Sequence, residues 1–237
     1  MPTDCLFRDD SYLKDCEARV VAVTEQGGIV LDRTVFYANS GGQPGDTGVF
    51  ITMDGTRVPV TNAIFTDAAK SEIAHVVAGA PALKAGDLVR AEIDWDRRYG
   101  RMRIHTALHL LSAALPYAVT GGSVGDSDGR LDFDIPDAGL DKDAVTAKLA
   151  DMIATDAAVS SRWISDAELE ANPGLTKTMS VKPPTGTGSV RLIEITGLDL
   201  QPCGGTHVRK VGEIGAVKVT GIEKKGKQNR RVRIAFA

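Results

Sequence analysis

Residues 95–115, WDRRYGRMRIHTALHLLSAAL, contain one glycine and no proline. Within this stretch, apolar residues recur at intervals of four, three and four positions from Ile104 to Leu115. This spacing places them along one face of an amphipathic helix, and Pro116 predicts the end of that helix. Because the sequence pattern changes near Asp94, we expect the helix to open a second domain.

Residues 1–94, which precede the helix, are predicted to form a small β-barrel domain. Short runs rich in Val, Ile, Thr and Phe are separated by turn signals such as the Asp-Gly pair at 54–55. Short strands at this spacing are typical of a small barrel or sandwich. The predicted strands are 18–24, 28–36, 47–53, 57–65 and 87–93.

Residues 95–237 are predicted to form an α+β domain with helices packed on a mostly antiparallel sheet. Leu131 and Phe133 alternate with aspartates, which indicates a strand with one buried face. A helix is predicted over 141–156, and the S-x-x-E spacing from Ser165 indicates a capping box that starts another. Further strands are predicted over 190–195, 216–222 and 231–236, with a flexible loop over 182–189.

The composition is that of a soluble globular protein, with 43% hydrophobic and 25% charged residues in 237. No apolar run is long enough to span a bilayer, and the first residues lack the pattern of a signal peptide. Three cysteines argue against a disulfide framework and favour a reducing compartment. We therefore expect a cytoplasmic protein that does not contact membranes, whereas its oligomeric state is not predicted.

Two short motifs use three of the four histidines and one of the three cysteines: HTALH at 105–109 and CGGTH at 203–207. Histidines four residues apart on a helix point the same way from successive turns. Two glycines are expected to let the second motif fold sharply enough for both of its ends to reach one point. Three nitrogens and one sulfur suit a tetrahedral zinc site, although iron or cobalt could also occupy it. The predicted Zn²⁺ ligands are His105, His109, Cys203 and His207.

The position after the first histidine limits the chemistry of this site. A zinc protease with two helical histidines usually has a glutamate there as general base, whereas this sequence has Thr106. The protease interpretation therefore loses its base. Whether the site is structural, with four protein ligands, or catalytic, with one open position, is left undecided by the sequence. The remaining histidine, His75, is expected to be an ordinary strand or surface residue.

Basic residues form two clusters although the net charge is −3. A phosphate-binding face requires only a local positive potential, so the overall charge does not exclude one. The first cluster precedes the helical histidine pair, and the second lies near the end of the sequence. The predicted phosphate-binding residues are Arg98, Arg101, Arg103, Lys224, Lys225, Lys227, Arg230 and Arg231.

Two motifs together resemble a known family: RMRIHTALHLL at 101–111 and QPCGGTHV at 201–208. They are similar to the editing domain of alanyl-tRNA synthetase, and more closely to the freestanding AlaX proteins, which are trans-editing factors. The stretch FYANSGGQPGDTG at 36–48 resembles the glycine-rich segment of the medium-length AlaX type. EIG at 213–215 and KGKQNRR at 225–231 also match, so the resemblance covers nearly the whole chain.

The resemblance implies an N-terminal β-barrel domain and a C-terminal zinc-bearing editing domain. It also implies an activity, the hydrolysis of the ester that joins serine to alanine tRNA, with glycine as a second candidate substrate. The chain has no room for a synthetase catalytic domain, so we expect it to remove amino acids without attaching them. The main alternative is a zinc-stabilised tRNA-binding module without turnover, and a second is a zinc hydrolase acting on a small ester or amide.

The resemblance gives further polar residues a possible role in the reaction. Gln201 adjoins a predicted zinc ligand, and a pocket that hydrogen-bonds the serine hydroxyl would discriminate against alanine. For Thr120 and Ser123 the competing interpretation is turn chemistry, and for the glycine-rich segment it is a tight turn of the barrel. The predicted catalytic residues are Gln201, Thr120 and Ser123, and the predicted substrate-recognition residues are Gly41, Gly42 and Gln43.

Overall fold

The computed structural model divides the chain into two compact units, Met1–Tyr99 and Gly100–Ala237. The division falls within helix α1 (Trp95–Ala114). Most of the predicted loop over 182–189 lies outside the described residues, and so does Lys227, one of the predicted phosphate-binding residues. The described residues are 2–79, 83–135, 139–176, 188–226 and 228–237.

The first unit contains a closed antiparallel barrel, which confirms the predicted barrel. Its six strands follow the order β2-β3-β7-β6-β5-β8, and β8 pairs with β2 to close it. The short strands β1 and β4 pair in parallel beside it. The strands are β1 (Asp4–Cys5), β2 (Asp15–Val23), β3 (Ile29–Leu31), β4 (Arg33–Thr34), β5 (Gly48–Thr52), β6 (Arg57–Phe65), β7 (Ile73–Val77) and β8 (Leu88–Ile93).

His75 lies fully buried in β7, a strand that the sequence patterns did not predict. Its Nδ1–H donates to the Ile29 carbonyl at 2.8 Å, and its Nε2 accepts from the Thr34 hydroxyl at 2.8 Å. Burial lowers the pKa of this imidazole to about 4. His75 is therefore a neutral core residue of the barrel. The sequence analysis had not decided between a strand residue and a surface residue.

The second unit contains two antiparallel sheets, of order β14-β15-β10-β9 and β11-β12-β13. The mostly antiparallel character of the chain is therefore confirmed. Its strands are β9 (Val119–Val124), β10 (Asp128–Asp134), β11 (Val159–Ser165), β12 (Ser189–Ile195), β13 (Asp199–Pro202), β14 (Val217–Lys224) and β15 (Asn229–Phe236), and its further helices are α2 (Lys142–Ala154) and α3 (Asp166–Ala171).

Helix α1 is more deeply buried than an amphipathic pattern predicts. Its predicted face from Ile104 to Leu111 is buried, but so are residues on other faces, such as Met102 and Leu110. Strand β10 approaches the helix closely, because a Cβ atom built at Gly129 would lie only 2.7 Å from the Ile104 side chain. The helix is thus closely packed along the part that carries the two histidines.

Helix α3 begins with the capping box that the sequence predicts. The Ser165 side chain accepts a hydrogen bond from the Glu168 backbone at 3.2 Å, and Glu168 accepts one from the Ser165 backbone at 2.8 Å. Among the described residues, no helix combines the length and apolar character needed to cross a membrane.

Candidate metal centre

The second unit brings the four predicted metal ligands to one point. One potential ligand atom from each of His105, His109, Cys203 and His207 lies within 4.8 Å of the others. The three histidines are buried, and Cys203 is partly buried. The group can therefore hold a metal ion, and each of its two halves is positioned by a different part of the fold.

The helical half of the centre comes from successive turns of α1, where the rings of His105 and His109 lie 5.3 Å apart. A buried carboxylate, that of Asp199 in β13, lies 3.0 Å from Nδ1 of His109. The pair keeps a proton on Nδ1, so Nε2 is the nitrogen from which a metal ion would displace a proton. Burial lowers the pKa of His109, but the hydrogen bonds of Asp199 and Cys203 outweigh this and raise it to about 9. The site therefore favours positive charge.

Gln201 lies beside this pair and is not one of the four donors. Its amide nitrogen donates to Asp199 at 2.7 Å and to the Ser112 hydroxyl at 3.0 Å. The Ser112 hydroxyl in turn donates to the His109 carbonyl at 2.8 Å. Gln201, which was predicted to be catalytic, is thus brought beside the metal ligands, in contact with the carboxylate that orients one of them.

The loop half of the centre follows directly after β13. The sulfur of Cys203 lies 3.5 Å from Nε2 of His105 and 3.3 Å from Nε2 of His207. The backbone N–H of Gly205 donates to the same sulfur at 3.4 Å. A Cβ atom at Gly204 would meet nothing within 4 Å, so steric crowding does not explain the glycine there.

The orientation of His207 depends on Thr106, the residue that replaces the protease glutamate. The Thr106 hydroxyl donates to the Met102 carbonyl at 2.9 Å, so it accepts the Nδ1 proton of His207 at 3.1 Å. This again leaves Nε2 facing Cys203. Burial, together with the neighbouring His105, lowers the pKa of His207 to about 3, so that imidazole is neutral.

Two of the distances between donor atoms suit a tetrahedral metal ion. Bonds of about 2.3 Å to sulfur and about 2.1 Å to nitrogen, meeting at a tetrahedral angle, separate the two donors by about 3.6 Å. The two sulfur-to-nitrogen distances are 3.3 and 3.5 Å. Burial raises the pKa of the Cys203 thiol, but the neighbouring histidines, first of all His105, lower it by more, to well below its usual value. The sulfur is therefore held as the thiolate that binds metals.

Arg191 also contacts the loop half and was not predicted to belong to the site. Its Nη1 donates to the carbonyl of Gly205 at 2.8 Å and to that of Cys203 at 3.3 Å. Asp199 was also missed, because the strand β13 was not predicted. The alternation of Asp199, Gln201 and Cys203 was the available signal, since residues two apart share one face of a strand.

Thr120 and Ser123, also predicted to be catalytic, lie in strand β9 and not in a turn. The Thr120 hydroxyl donates to the Asp132 carbonyl at 3.1 Å and accepts from the Asn229 side chain at 2.7 Å. Ser123 is half-buried opposite Arg130 in the antiparallel pairing of β9 and β10. The turn interpretation is therefore wrong, and a catalytic role for either residue stays a prediction.

The prediction that Arg98 binds phosphate is wrong. This arginine is fully buried in the first unit, where its guanidinium is paired with the Asp46 carboxylate. It also donates to the carbonyls of Ser11 at 3.0 Å and Val35 at 2.7 Å. A guanidinium enclosed in this way is not accessible to a nucleic acid.

The other arginines of the first cluster are also engaged within the fold. Arg101 is only 3% exposed and donates to Asp126 at 2.6 Å. Because this guanidinium is also buried and paired, the prediction that Arg101 contacts phosphate is wrong. Arg103 is half-buried, donates to the Ile214 carbonyl at 2.7 Å and packs over the ring of Phe236. Its role as a phosphate contact stays a prediction.

The second cluster contains both paired and exposed cations. Arg231 donates to both oxygens of Asp132, at 2.7 and 2.9 Å, and its hydrogen bond lowers the pKa of that carboxyl. Arg230 is half-buried and donates to the Gly226 and Asn229 carbonyls. The two exposed cations described in this cluster are Lys224 and Lys225, and Lys225 lies 3.3 Å from Glu223.

The glycine-rich segment forms a tight turn in the first unit. Gly41 and Gly42 have φ values of 57° and 83°, the left-handed region that favours glycine. The backbones of Ser40 and Gln43 exchange hydrogen bonds of 2.9 and 3.1 Å across the turn. The turn interpretation is confirmed, whereas recognition of substrate by these residues stays a prediction.

Two family profiles match the chain. The profile described as "Threonyl and Alanyl tRNA synthetase second additional domain" matches residues 190–233. The profile described as "tRNA synthetases class II (A)" matches residues 11–97.

Relatives match over nearly the whole chain. "Alanyl-tRNA editing protein AlaX-M" of Methanosarcina barkeri is 38% identical over 239 aligned positions, which cover 97% of each chain. The protein of that name from Saccharolobus solfataricus is 34% identical, again over 97% of each chain. "Alanine--tRNA ligase" of Sulfurisphaera tokodaii is 35% identical over 94% of this chain but only 25% of the ligase. The chain belongs to the AlaX-M family of alanyl-tRNA editing proteins.

Proposed function

We propose that the protein is a trans-editing deacylase that hydrolyses the ester of serine mischarged onto alanine tRNA, with glycine as a second substrate. The observation that carries this proposal is a buried set of four metal donors in a chain whose full-length relatives are named alanyl-tRNA editing proteins. A protein that acts on charged tRNA would work in the cytoplasm, where translation takes place.

We further propose that the metal is zinc, bound by His105, His109, Cys203 and His207. One thiolate and three imidazoles form a mixed set that zinc accepts readily in tetrahedral geometry. With all four donors bound, the zinc would have no open position, so it would polarise the ester carbonyl and orient the substrate only where one donor gives up its place. The protein's own residues hold the donors in the required tautomers, through Asp199 on one side and Thr106 on the other.

The aminoacyl ester is already reactive, so positioning and charge stabilisation are the main requirements for its hydrolysis. We propose that polar groups provide this positioning and read the serine hydroxyl. A pocket that hydrogen-bonds such a hydroxyl rejects the analogue without it by a factor on the order of 10⁴. The residues proposed for this role are Gln201, Thr120 and Ser123, with Gly41, Gly42 and Gln43 of the glycine-rich turn.

For the tRNA backbone, we propose contacts from the cations of the second cluster and from Arg103. Lys224 and Lys225 support this best because both are exposed. Each phosphate contact that is removed should reduce the salt dependence of binding by about one counterion. The proposed set is Arg103, Lys224, Lys225, Lys227, Arg230 and Arg231.

The direct test is to incubate the metal-loaded protein with alanine tRNA charged separately with serine, glycine and alanine, and to follow loss of the ester. We expect rapid loss of serine, loss of glycine at a second measurable rate, and retention of alanine. Binding of all three without turnover would instead support the metal-stabilised binding module. Hydrolysis of small amino-acid esters at the same rate as charged tRNA would support a general hydrolase.

A further inference from the structure

Arg191 is a buried arginine in strand β12, only 8% exposed, and its guanidinium points at the backbone of the metal-binding loop. Its Nη1 donates to two carbonyl oxygens of that loop, those of Cys203 and Gly205. Its own backbone carbonyl accepts the Cys203 N–H at 3.0 Å. Cys203 is therefore held through both of its backbone polar groups by one residue.

The position of Arg191 follows from the register of the sheet. Strands β12 and β13 pair in antiparallel fashion up to Leu192 and Pro202, where β13 ends. Arg191 is the next residue of β12, so it lies beside Cys203 at the point where the loop leaves the sheet. Beyond this point regular strand pairing ends, and the arginine side chain supplies donors to loop carbonyls that strand pairing does not reach.

The chemistry of an arginine suits this place. A guanidinium carries a charge that proteins do not remove, and its N–H groups project in a fixed planar arrangement. Two carbonyl oxygens of the loop converge on Nη1 of Arg191, and the buried positive charge opposes the repulsion between them. Flexible lysine would provide the charge without the same fixed directions.

We propose that Arg191 is a positioning residue for the metal centre, which holds Cys203 and His207 in metal-binding geometry without touching metal or substrate. This inference rests on the metal site of the proposed function. It predicts that loss of the guanidinium weakens metal binding through the loop ligands and leaves the helical ligands in place. Mutation of a residue that contacts a metal ligand, and not the metal itself, typically lowers metal affinity by about 10- to 100-fold.

The test is a metal titration of the full-length protein, first freed of metal, in wild type and in Arg191→Met. Zinc affinity is measured by competition with a chromophoric chelator, and the ligand set by the absorption of bound Co²⁺. We expect the variant to bind zinc about 10- to 100-fold more weakly, with a reduced thiolate-to-cobalt charge-transfer band. Arg191→Lys should recover part of the affinity, and its deacylation should return when zinc is in excess.

Arg162→Met is the matched control, because Arg162 lies on neighbouring strand β11 with a side chain 55% exposed and 4.0 Å from Glu194. It should bind zinc and cobalt as the wild type does. Wild-type affinity and spectrum in folded Arg191→Met would overturn the inference. If Arg191→Met does not fold, as judged by circular dichroism, Arg191→Lys decides, and unchanged affinity there overturns it equally. A wild-type protein that binds no metal would contradict the proposed metal site itself.

Discussion

The two halves of the metal centre are built on different kinds of support. His105 and His109 stand on a helix whose backbone hydrogen bonds are internal and whose central part is buried on several faces. Cys203 and His207 stand on a loop after the last residue of β13. That loop is held by side chains from elsewhere, the Arg191 guanidinium and the Thr106 hydroxyl.

This difference separates what secondary structure sets from what tertiary contacts set. A helix fixes the relative position of residues four apart whether or not a metal is bound. A loop without regular hydrogen bonding needs each of its contacts, and a bound ion would add to them. The loop half should therefore be the part of the site that depends most on metal and on neighbouring side chains.

The largest effect should follow from removing a ligand of either half. Cys203→Ala and His105→Ala should each bind less than about a tenth of an equivalent of zinc, and their deacylation should fall by more than about 100-fold. Loss of a residue that only contacts a ligand already lowers metal affinity or activity by about 10- to 100-fold, and loss of a ligand should lower it more. Metal content after gel filtration and the rate of serine release measure this. Cys16→Ala, at a half-buried cysteine of the barrel, is the control and should keep both. Full deacylation in a metal-free variant would show that the metal is not required for catalysis.

Removing the metal from the wild type should distinguish the two halves directly. After treatment with a chelator, backbone amides of residues 203–207 should exchange hydrogen at least about tenfold faster, equivalent to about 1.4 kcal/mol of lost protection. The amides of α1 from Ile104 to Leu110 should change by less than about twofold, since their hydrogen bonds lie within the helix. Exchange resolved to single peptides by mass spectrometry provides the measurement. Equal acceleration in both segments would contradict the proposed difference.

The helical half was predictable from the sequence because its information is local. The spacing of His105 and His109 and the apolar period around them specify which side chains share a face. The capping box at Ser165 was predicted for the same reason, since it involves residues three apart. The strands β2, β3, β5, β6 and β8 of the barrel were found from short apolar runs, whereas β7 (Ile73–Val77), whose run contains His75, was not predicted.

The supports of both halves depend on residues far apart in the chain, which explains why sequence patterns missed them. His109 is paired with Asp199 across 90 positions, and Thr106 with His207 across 101. The same limit misassigned Arg98: its cluster suggested phosphate binding, but a carboxylate 52 residues away pairs with it in the interior. A charge run shows that cations are present, and only the fold shows which are already paired.

The support of the helical half can be weakened by a single atom exchange, Asp199→Asn. The neutral amide can present its N–H₂ to His109 and reverse the tautomer, so Nε2 would no longer be free for the metal. We expect zinc affinity to fall by about 10- to 100-fold, as for other carboxylate partners of ligating histidines. Chelator competition measures it, with Glu194→Gln on the adjacent strand as a control whose carboxylate is 42% exposed. Equal affinities in the two variants would mean that Asp199 does not orient His109.

The smallest effect should come from the contact that joins the two halves, between Thr106 on the helix and His207 on the loop. Thr106→Val keeps the shape of the side chain but removes the hydroxyl that accepts the Nδ1 proton of His207. A net hydrogen bond contributes about 1 kcal/mol, so zinc affinity should fall about fivefold, less than for Asp199→Asn, where the partner is charged. Thr106→Ser retains the hydroxyl and should bind zinc within about twofold of the wild type, which separates this contact from simple packing. If Thr106→Ser loses as much affinity as Thr106→Val, the methyl group and not the hydrogen bond supports His207. The loop half would then depend chiefly on Arg191 and the metal.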